Sequence, residues 1–340
     1  MVSIKDVARV AGVSNKTVSR VVNREPNVNP DTFEKVEKAI ADLGYVPNMA
    51  ARLIRSNRSR IIGIITDFVS TTPYSGDIVR GVQDWANANG KTFLLSNTNG
   101  EREREHDIWR TFQSHRIDGV LYVSMYHRLI DPAPGDVDIP TVQVNCRPES
   151  GRIADVIVPD DEQGSRDLTR YLIGRGHRKL AYIRLNPRLI GAELRYRAFM
   201  ETAREAGIAE EDLQVRFGMD GEIGQEKNYV FDVALEVLSL PQRPSAIICG
   251  NDEMALQVYL AALSIGLRIP EDVSIVGFDD FQTVSLALKP ELTTAALPYY
   301  DLGFKGAERL EARLQNDQLD AEIQVLACRV IERGSVAERK

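Results

Sequence analysis

Three polar side chains near the N-terminus carry donors and acceptors of the kind that hydrogen-bond the edges of base pairs. Lys16 and Arg20 lie four positions apart, the spacing that places two residues on one face of a helix, and Asn15 directly precedes Lys16. An asparagine amide suits adenine, whereas lysine and arginine suit the acceptor atoms of guanine. The simpler alternative is that all three are solvated surface residues. The elements that present them decide between these interpretations.

Three short amphipathic helices are predicted around these side chains. The first ends at Gly12, and the second is capped by Ser14. The third has Asn29 as its cap, Pro30 in its first turn and Gly44 after its last turn. Each helix carries apolar residues at helical spacing: Ile4, Val7, Ala8, Ala11, then Val18, Val21, Val22, then Phe33, Val36, Ile40, Leu43. Two short helices joined by a tight glycine turn, the second with exposed polar groups near its start, are typical of a helix-turn-helix that enters the DNA major groove.

The charge of the chain is unevenly distributed. The 340 residues carry a net charge of -7, yet residues 1–60 hold 11 Lys and Arg against 6 Asp and Glu, a balance of +5. The remainder of the chain therefore carries -12. A basic segment is often only solvated surface, but this one coincides with the helix-turn-helix pattern, which favours contact with a polyanion such as DNA.

From residue 60 onward, short apolar runs alternate with amphipathic stretches. The runs are expected to be strands covered on both faces, at 61–66, 92–96, 119–124, 141–145, 155–158, 179–185, 213–217, 246–249 and 274–277. The amphipathic stretches are expected to be helices, at 77–89, 102–114, 164–175, 195–206, 225–238 and 253–264. This alternation predicts an α/β fold with parallel sheets, and so many strands fit two sheets better than one. Ligands are expected at the carboxyl ends of the strands.

The N-terminal sequence resembles that of a known family of regulators. VSIKDVARVAGVSNKTVSRVVN, followed by VNPDTFEKVEKAIADLGYVPN, is similar without a gap to the opening of lac repressor (LacI/GalR) family proteins. The resemblance implies an all-α helix-turn-helix headpiece over residues 1–46 and a sequence-specific transcriptional regulator, most simply a repressor, on a pseudo-palindromic operator. It assigns DNA binding to Asn15, Lys16, Thr17, Arg20, Asn23, Asn48 and Ile54.

Residues 47–59 are expected to form a hinge helix and linker. The eight residues NMAARLIR, at 48–55, are too few for a stable isolated helix in water, so this helix should form only when something holds it. The resemblance implies that it pairs with its twin in the minor groove and inserts Ile54, where the family usually has Leu, between base pairs. The alternative is a flexible polar linker, since the sequence continues as RSNRSR.

Residues 60–340 resemble the same family through segments such as RYRAF, AIICGNDEMAL and IPEDVSIVGFDD. The resemblance implies a two-lobed core similar to periplasmic sugar-binding proteins. Lobe one would comprise about 61–158 plus 290–322, and lobe two about 159–289 plus 323–334. A small effector, a sugar or sugar derivative, would bind between the lobes and control operator affinity.

The residues that the resemblance assigns to the effector are Tyr74, Arg195, Asn251 and Asp279. Arginine, asparagine and aspartate together offer a fork of donors and paired acceptors that suits vicinal hydroxyls. Taken singly, Asn251 and Asp279 are also compatible with helix caps, and Tyr74 with ordinary packing. The sequence therefore predicts a sugar site without naming the sugar.

Motifs of catalysis and metal binding are missing from the sequence. No GxGxxG follows a strand, no GxSxG occurs, and Trp85 stands where a P-loop ending in the GKT at 90–92 needs glycine. The four histidines lack HExxH spacing and a nearby cysteine. Asp279 and Asp280 are adjacent, but neighbours at a strand end point different ways. We expect no enzyme, cofactor or metal; a transport-associated solute-binding protein would share the core but not the basic headpiece.

The compartment and the oligomeric state follow from the cysteines and the two ends of the sequence. Cys146, Cys249 and Cys328 lie far apart in apolar runs and are expected to be reduced and buried. Neither a secretory signal nor an apolar run of about 18 residues occurs, so we expect a cytoplasmic protein without a membrane segment. The tail RVIERGSVAERK has no heptad repeat, which favours a homodimer over a coiled-coil tetramer.

Overall fold

The computed structural model describes residues 2–22, 27–45, 58–69, 75–132 and 139–339. The chain divides into two compact units, Met1–Ser59 and Arg60–Lys340. No helix among the described residues is long and apolar enough to cross a membrane. Most of the predicted hinge lies outside the described residues, as do four predicted site residues: Asn23, Asn48, Ile54 and Tyr74.

The described residues of the N-terminal unit form three helices: α1 (Ile4–Ala11), α2 (Asn15–Val22) and α3 (Pro30–Leu43). Gly12 and Gly44 follow α1 and α3 with φ of 67° and 60°, a conformation that glycine adopts without strain. The side chains of Ser14 and Asn29 cap α2 and α3, each accepting a backbone amide, at 3.1 and 2.9 Å. The predicted helices of the headpiece and their caps are therefore confirmed.

A small apolar core holds these three helices together. Its buried members come from all three: Val7, Ala8, Val18, Val21, Val36 and Ala39. Because the valines of α2 face this core, the polar residues of α2 are left on its outer side.

The first sheet of the larger unit has six strands: β1 (Ile61–Thr66), β2 (Thr92–Asn97), β3 (Gly119–Leu129), β4 (Thr141–Arg147), β5 (Asp155–Asp160) and β13 (Ile323–Ala327). All pairings are parallel, in the order β13-β5-β4-β3-β1-β2. Helices α4 (Ser75–Ala88) and α11 (Tyr299–Gln315) cover one face, and α5 (Arg102–Ser114) covers the other. Cover on both faces explains why β1 reads as an unbroken apolar run.

Helices α4 and α11 approach each other at two glycines. A Cβ atom added at Gly81 would lie 2.1 Å from the carbonyl oxygen of Tyr300. One added at Gly303 would lie 2.0 Å from the carbonyl oxygen of Ile78. Neither distance is accessible to a real Cβ atom, so the close contact between these helices requires glycine at both positions.

The second sheet also has six strands: β6 (Leu180–Arg184), β7 (Leu213–Phe217), β10 (Ala246–Cys249), β11 (Ser274–Asp279), β12 (Thr293–Ala296) and β14 (Arg329–Ile331). Their order is β14-β12-β11-β10-β6-β7, with only β14 antiparallel. Its helices are α6 (Asp161–Gly174), α7 (Ile190–Glu205), α8 (Val230–Leu238), α9 (Asp252–Ser264) and α10 (Gln282–Ser285). A hairpin, β8 (Met219–Asp220) with β9 (Lys227–Asn228), precedes α8, and a 3-10 turn covers Glu210–Asp212.

The predicted boundaries of the lobes were wrong near the C-terminus. Residues 290–322 were expected in lobe one, and α11 does pack there, but β12 pairs with β11 in the second sheet, with Thr293 opposite Val276. Residues 323–334 were expected in lobe two, and β14 does pair there, but β13 pairs with β5 in the first sheet, with Ile323 opposite Val156. The chain thus crosses after β12 and again at Cys328. Strand partners far apart in sequence determine these crossings, and no local pattern records them.

Several elements differ in length from their predictions. Strand β3 continues to Leu129, beyond the predicted 119–124. Helix α7 begins at Ile190 rather than Arg195, and α8 begins at Val230 rather than residue 225, because 227–228 pair in the hairpin. Cys146, Cys249 and Cys328 are free and buried, which confirms the prediction for the thiols.

Candidate functional site

Three of the predicted base-reading side chains share the exposed side of α2. Asn15, Lys16 and Arg20 are exposed, while Thr17 is partly buried and its Oγ1 lies 2.9 Å from Oγ of Ser14. Asn15 and Lys16 are the first two residues of the helix, the end that contacts base edges when such a helix lies in the major groove. The geometry is therefore compatible with direct readout.

A cleft lies where the carboxyl ends of the two sheets meet in the larger unit. Side chains of both sheets and of the connecting segments line it: Met125, Tyr126, His127, Asn145, Leu185, Leu189, Gly191, Ala192, Arg195, Asn251, Asp279, Leu297 and Tyr299. It encloses about 50 Å³. Ligand pockets measure about 300–1,000 Å³, so the cleft is narrower here than a typical ligand pocket.

Arg195, in the second turn of α7, is the central cation of the cleft and is only 5% exposed. Its Nε donates to Asp161 Oδ1 at 2.6 Å, and one terminal nitrogen donates to the carbonyl oxygen of Gly250 at 2.8 Å. Its guanidinium lies 3.8 Å from the ring centroid of Phe278. These contacts fix the plane of the guanidinium, which orients its remaining donors.

Asp161 connects the two lobes through a second partner. It is the first residue of α6, yet its Oδ2 lies 2.5 Å from Nδ1 of His127, which belongs to β3 in the first sheet. Burial alone would raise the pKa of Asp161, but Arg195 and His127 outweigh burial and hold this pKa at about 2. The carboxylate is therefore charged and accepts from both neighbours.

Asp279 ends β11 in a strained conformation, with φ of 109°, followed by Asp280 with φ of 53°. Positive φ at a non-glycine residue costs about 1–3 kcal/mol and is typical of functional sites. Burial and the nearby carboxylate of Asp252 raise the pKa of Asp279 well above its usual range, and burial raises that of Asp252 to about 6. Burial and the proximity of the two carboxyl groups thus disfavour full ionisation of this pair.

The partners of these carboxyl groups explain their positions. Asp252 accepts from the hydroxyl of Thr294 at 2.7 Å and from the Phe281 amide at 2.8 Å. Asp280 instead binds Arg333 at 2.7 Å, so its carboxylate and that of Asp279 point different ways. Only Asp279 of the adjacent pair lines the cleft.

Asn251 has both of the roles considered from the sequence. Its Oδ1 accepts from the Met254 amide at 2.8 Å, which caps α9, and the residue also lines the cleft. Capping uses the amide oxygen and leaves the Nδ2 group for a ligand. The capping bond thus fixes the orientation of an amide group whose residue lines the cleft.

The structure brings Arg195, Asn251 and Asp279 to one cleft, while Tyr74 lies outside the described residues. Sequence reasoning missed Asp161, His127 and Asp252. Asp161 had a usable signal, because it directly follows a strand end. His127 had none, because the predicted strand stopped short of it. In the part of the chain that the structure describes, no cluster of three His, Cys, Asp or Glu side chains could hold a metal ion.

Comparison with known proteins identifies the family. Residues 3–48 match the family described as bacterial regulatory proteins, lacI family, and residues 169–336 match a periplasmic binding protein-like domain. The ribose operon repressor of Escherichia coli (strain K12) is 33% identical over 340 residues, covering 98% of this chain and 100% of the repressor. The chain belongs to the lacI family.

Solved structures of lacI-family proteins share its fold. A regulator of this family from Rhizobium etli is 62% identical, covers 82% of this chain and 100% of its own, and has a TM-score of 0.80. The lac repressor dimer bound to operator and the anti-inducer ONPF is 25% identical, covers 99% of both chains and has a TM-score of 0.78. As a member of the lacI family, the protein is a DNA-binding transcriptional regulator with a helix-turn-helix headpiece and an α/β core, which confirms the predicted fold class.

Proposed function

We propose that this lacI-family regulator is a homodimeric repressor that binds a pseudo-palindromic operator and is controlled by a sugar-like ligand in the cleft. The observation that carries the proposal is the convergence of Arg195, Asn251 and Asp279 on one cleft between two sheets. Three directed hydrogen-bonding groups in an otherwise largely apolar cavity are typical of a specific small-molecule site. The name of the ribose operon repressor supports a sugar or a close derivative as the ligand.

Operator binding is assigned to Asn15, Lys16, Thr17 and Arg20 on α2, together with Asn23, Asn48 and Ile54 outside the described residues. The exposure of Asn15, Lys16 and Arg20 supports the assignment. The similarity to a lac repressor dimer bound to operator supports a dimer on DNA. A two-fold dimer reads two half-sites, which is the reason to expect a pseudo-palindrome.

Each segment of the chain has a separate role. The headpiece at 1–46 binds DNA, and 47–59 serves as the hinge. The core at 60–340 binds the ligand and forms the dimer, with one lobe at about 61–160 plus 298–327 and the other at about 161–297 plus 329–334. The core binds its ligand without converting it, in the cytoplasm, where the operator is accessible.

Labelled DNA from the region upstream of the gene tests the proposal by fluorescence anisotropy, with and without a panel of sugars and polyols. One segment should bind more tightly than random DNA of equal length, and one panel member should change that affinity. Asn251→Ser is the variant of choice, because serine keeps the cap of α9 and removes the amide donor. It should bind DNA normally and respond about tenfold less sensitively to the sugar.

Two results contradict the proposal. One is equal affinity for upstream and random DNA. The other is an operator complex that no panel member alters at millimolar concentration. Recovery of a chemically changed sugar after incubation with the protein would separately contradict the non-catalytic assignment.

A further inference from the structure

His127 is a buried histidine with one ring nitrogen occupied and the other without a partner. The residue is 6% exposed and lies on β3, in the extension beyond the predicted strand. Its Nδ1 is 2.5 Å from Oδ2 of Asp161, whereas its Nε2 is buried and has no hydrogen-bond partner among the described residues. His127 also lines the cleft. Buried polar atoms are normally hydrogen-bonded, so an unpaired one at a ligand cleft indicates where a ligand atom binds.

The state of Asp161 determines what Nε2 offers. Because Asp161 is charged and only accepts, the Nδ1 atom of His127 carries a hydrogen and donates it. Nε2 then accepts a hydrogen bond if the ring is neutral and donates one if the ring is charged, and its direction is fixed by the bond on the opposite side of the ring. A hydroxyl group on a ligand complements Nε2 in either case, because it both donates and accepts.

The charges of the cleft limit the ligand further. Arg195 forms an ion pair with Asp161, so its positive charge is already balanced. Asp279 also lines the cleft, and the neighbouring carboxyl group of Asp252 is buried beside it. The other described residues that line the cleft, apart from His127, carry no charge at neutral pH. A carboxylate or phosphate on a ligand would therefore find no unbalanced cation in this cleft and would face the pair of carboxyl groups.

We propose that the ligand is an uncharged polyhydroxylated molecule, and that Nε2 of His127 is the group of the first lobe that binds one of its hydroxyls. This inference rests on the proposed function, since it refines the ligand of the same cleft. The second lobe contributes Arg195, Asn251 and Asp279. A ligand held by both sets bridges the lobes, and Asp161 joins the two sets because it contacts both His127 and Arg195.

A thermal-shift screen of the full-length protein tests the charge of the ligand. The probes are neutral pentoses, hexoses, disaccharides and polyols, each beside its aldonic acid and its sugar phosphate, as in D-ribose, D-ribonate and D-ribose 5-phosphate. At least one neutral member should stabilise the protein, and its acid and phosphate should bind at least tenfold more weakly in calorimetry. Tighter binding of an acid or phosphate overturns the inference but leaves the proposed function intact. No stabilisation by any member contradicts both.

Two matched variants test the role of His127. His127→Asn keeps a nitrogen near the position of Nδ1, so it retains the bond to Asp161 and loses only the Nε2 contact. His127→Gln places its amide near the position of Nε2 and loses the bond to Asp161. With the best neutral sugar as the probe, His127→Asn should bind about tenfold more weakly and melt like the wild type without sugar. His127→Gln should bind more tightly than His127→Asn.

Monodeoxy analogues of that sugar separate a direct contact from a structural role. For the wild type, one analogue should bind about tenfold more weakly than the parent sugar. For His127→Asn, that analogue and the parent sugar should bind with the same affinity, because the variant has already lost the partner of the missing hydroxyl. Wild-type affinity in His127→Asn overturns the assignment of Nε2. The assignment is also overturned if His127→Asn weakens the binding of the parent sugar and of every analogue by the same factor, since this would indicate a distorted cleft.

Discussion

Replacing Arg195 by methionine should destabilise the core in a pH-dependent way. Methionine keeps much of the volume over Phe278 and removes the charge, leaving Asp161, whose side chain has no exposed surface, without its main partner. Breaking a buried ion pair on one side costs about 3–5 kcal/mol. The Asp161 carboxylate must then either remain charged beside His127 alone or take up a proton.

The ionisation of Asp161 gives the pH dependence. In the wild type, the pKa of Asp161 is about 2 in the folded state, against 3.8 as the reference value. The charged carboxylate therefore contributes its full stabilisation above pH 3.8, and this stabilisation is lost as the pH falls toward 2. Stability between pH 5 and 7 is then insensitive to this group. In Arg195→Met the folded-state pKa rises above the unfolded value, so stability falls as the pH rises. Each pH unit is worth about 1.4 kcal/mol. The gap, meaning the difference in free energy of unfolding between the wild type and Arg195→Met, should therefore shrink by about 1–3 kcal/mol from pH 7 to pH 5.

Urea unfolding followed by tryptophan fluorescence measures this gap, because both tryptophans, Trp85 and Trp109, lie in the core. Arg197→Met is the matched control on the same helix: Arg197 forms an exposed ion pair with Glu162, and its loss should cost under about 1 kcal/mol at either pH. A gap for Arg195→Met that does not change with pH refutes the reasoning. So does a gap no larger than that of the control.

Three other predictions concern the headpiece, the carboxyl pair and the helix contact of the first lobe. Lys16→Ala and Arg20→Ala should each cost about 1–3 kcal/mol of operator binding and relax preference at defined bases; equal losses on all sequences in quantitative footprinting would show contact with phosphates alone. Burial and the neighbouring carboxyl group of Asp252 raise the pKa of Asp279, and Asp279→Asn replaces that carboxyl group by an uncharged amide. Because a raised pKa makes the wild type lose stability as the pH rises, the urea midpoint of this variant relative to the wild type should be higher at pH 8 than at pH 5, and the opposite trend would contradict the raised pKa. Gly303→Ala should destabilise the core by about 1–3 kcal/mol through its clash with the backbone of α4, whereas an unchanged midpoint would show that the helices separate without cost.

The headpiece was predictable from the sequence because its signals are local. Ser14 and Asn29 cap the helices that follow them, Gly12 and Gly44 end the helices that precede them, and each of these signals acts within a few residues. The predicted helices accordingly agree with the observed ones. Capping and turn chemistry require no knowledge of distant partners.

The path of the chain near the C-terminus was not predictable in this way. The four residues TTAA at 293–296 carry no distinctive strand pattern, and their place in the second sheet depends on β11 and on the hydroxyl that Thr294 donates to Asp252. The side chains of β13 alternate between exposed and half-buried, as in an edge strand, and its partner β5 lies far away in sequence. Pairing of distant segments is fixed by the packed fold as a whole.

Only some of the residues of the cleft were predictable, because the others meet through segments that are distant in sequence. Family resemblance located Arg195, Asn251 and Asp279, whereas the contact of His127 with Asp161 joins two lobes across 34 residues of sequence. Neither residue belongs to a recognised motif. Only their shared position at the carboxyl ends of β3 and β5, which are separated by β4 in the same sheet, could have suggested the pair.

The most direct test of the central claim is reciprocal coupling between the cleft and the operator. Isothermal calorimetry would give the Kd of the best sugar from the panel for the free protein and for the operator complex, and anisotropy would give the Kd of the operator with and without saturating sugar. Linkage requires both ratios to be the same factor, and allosteric control requires that factor to differ from one, typically by about 5- to 150-fold. A sugar that binds the cleft with the same Kd whether or not the operator is bound would contradict ligand control of DNA binding.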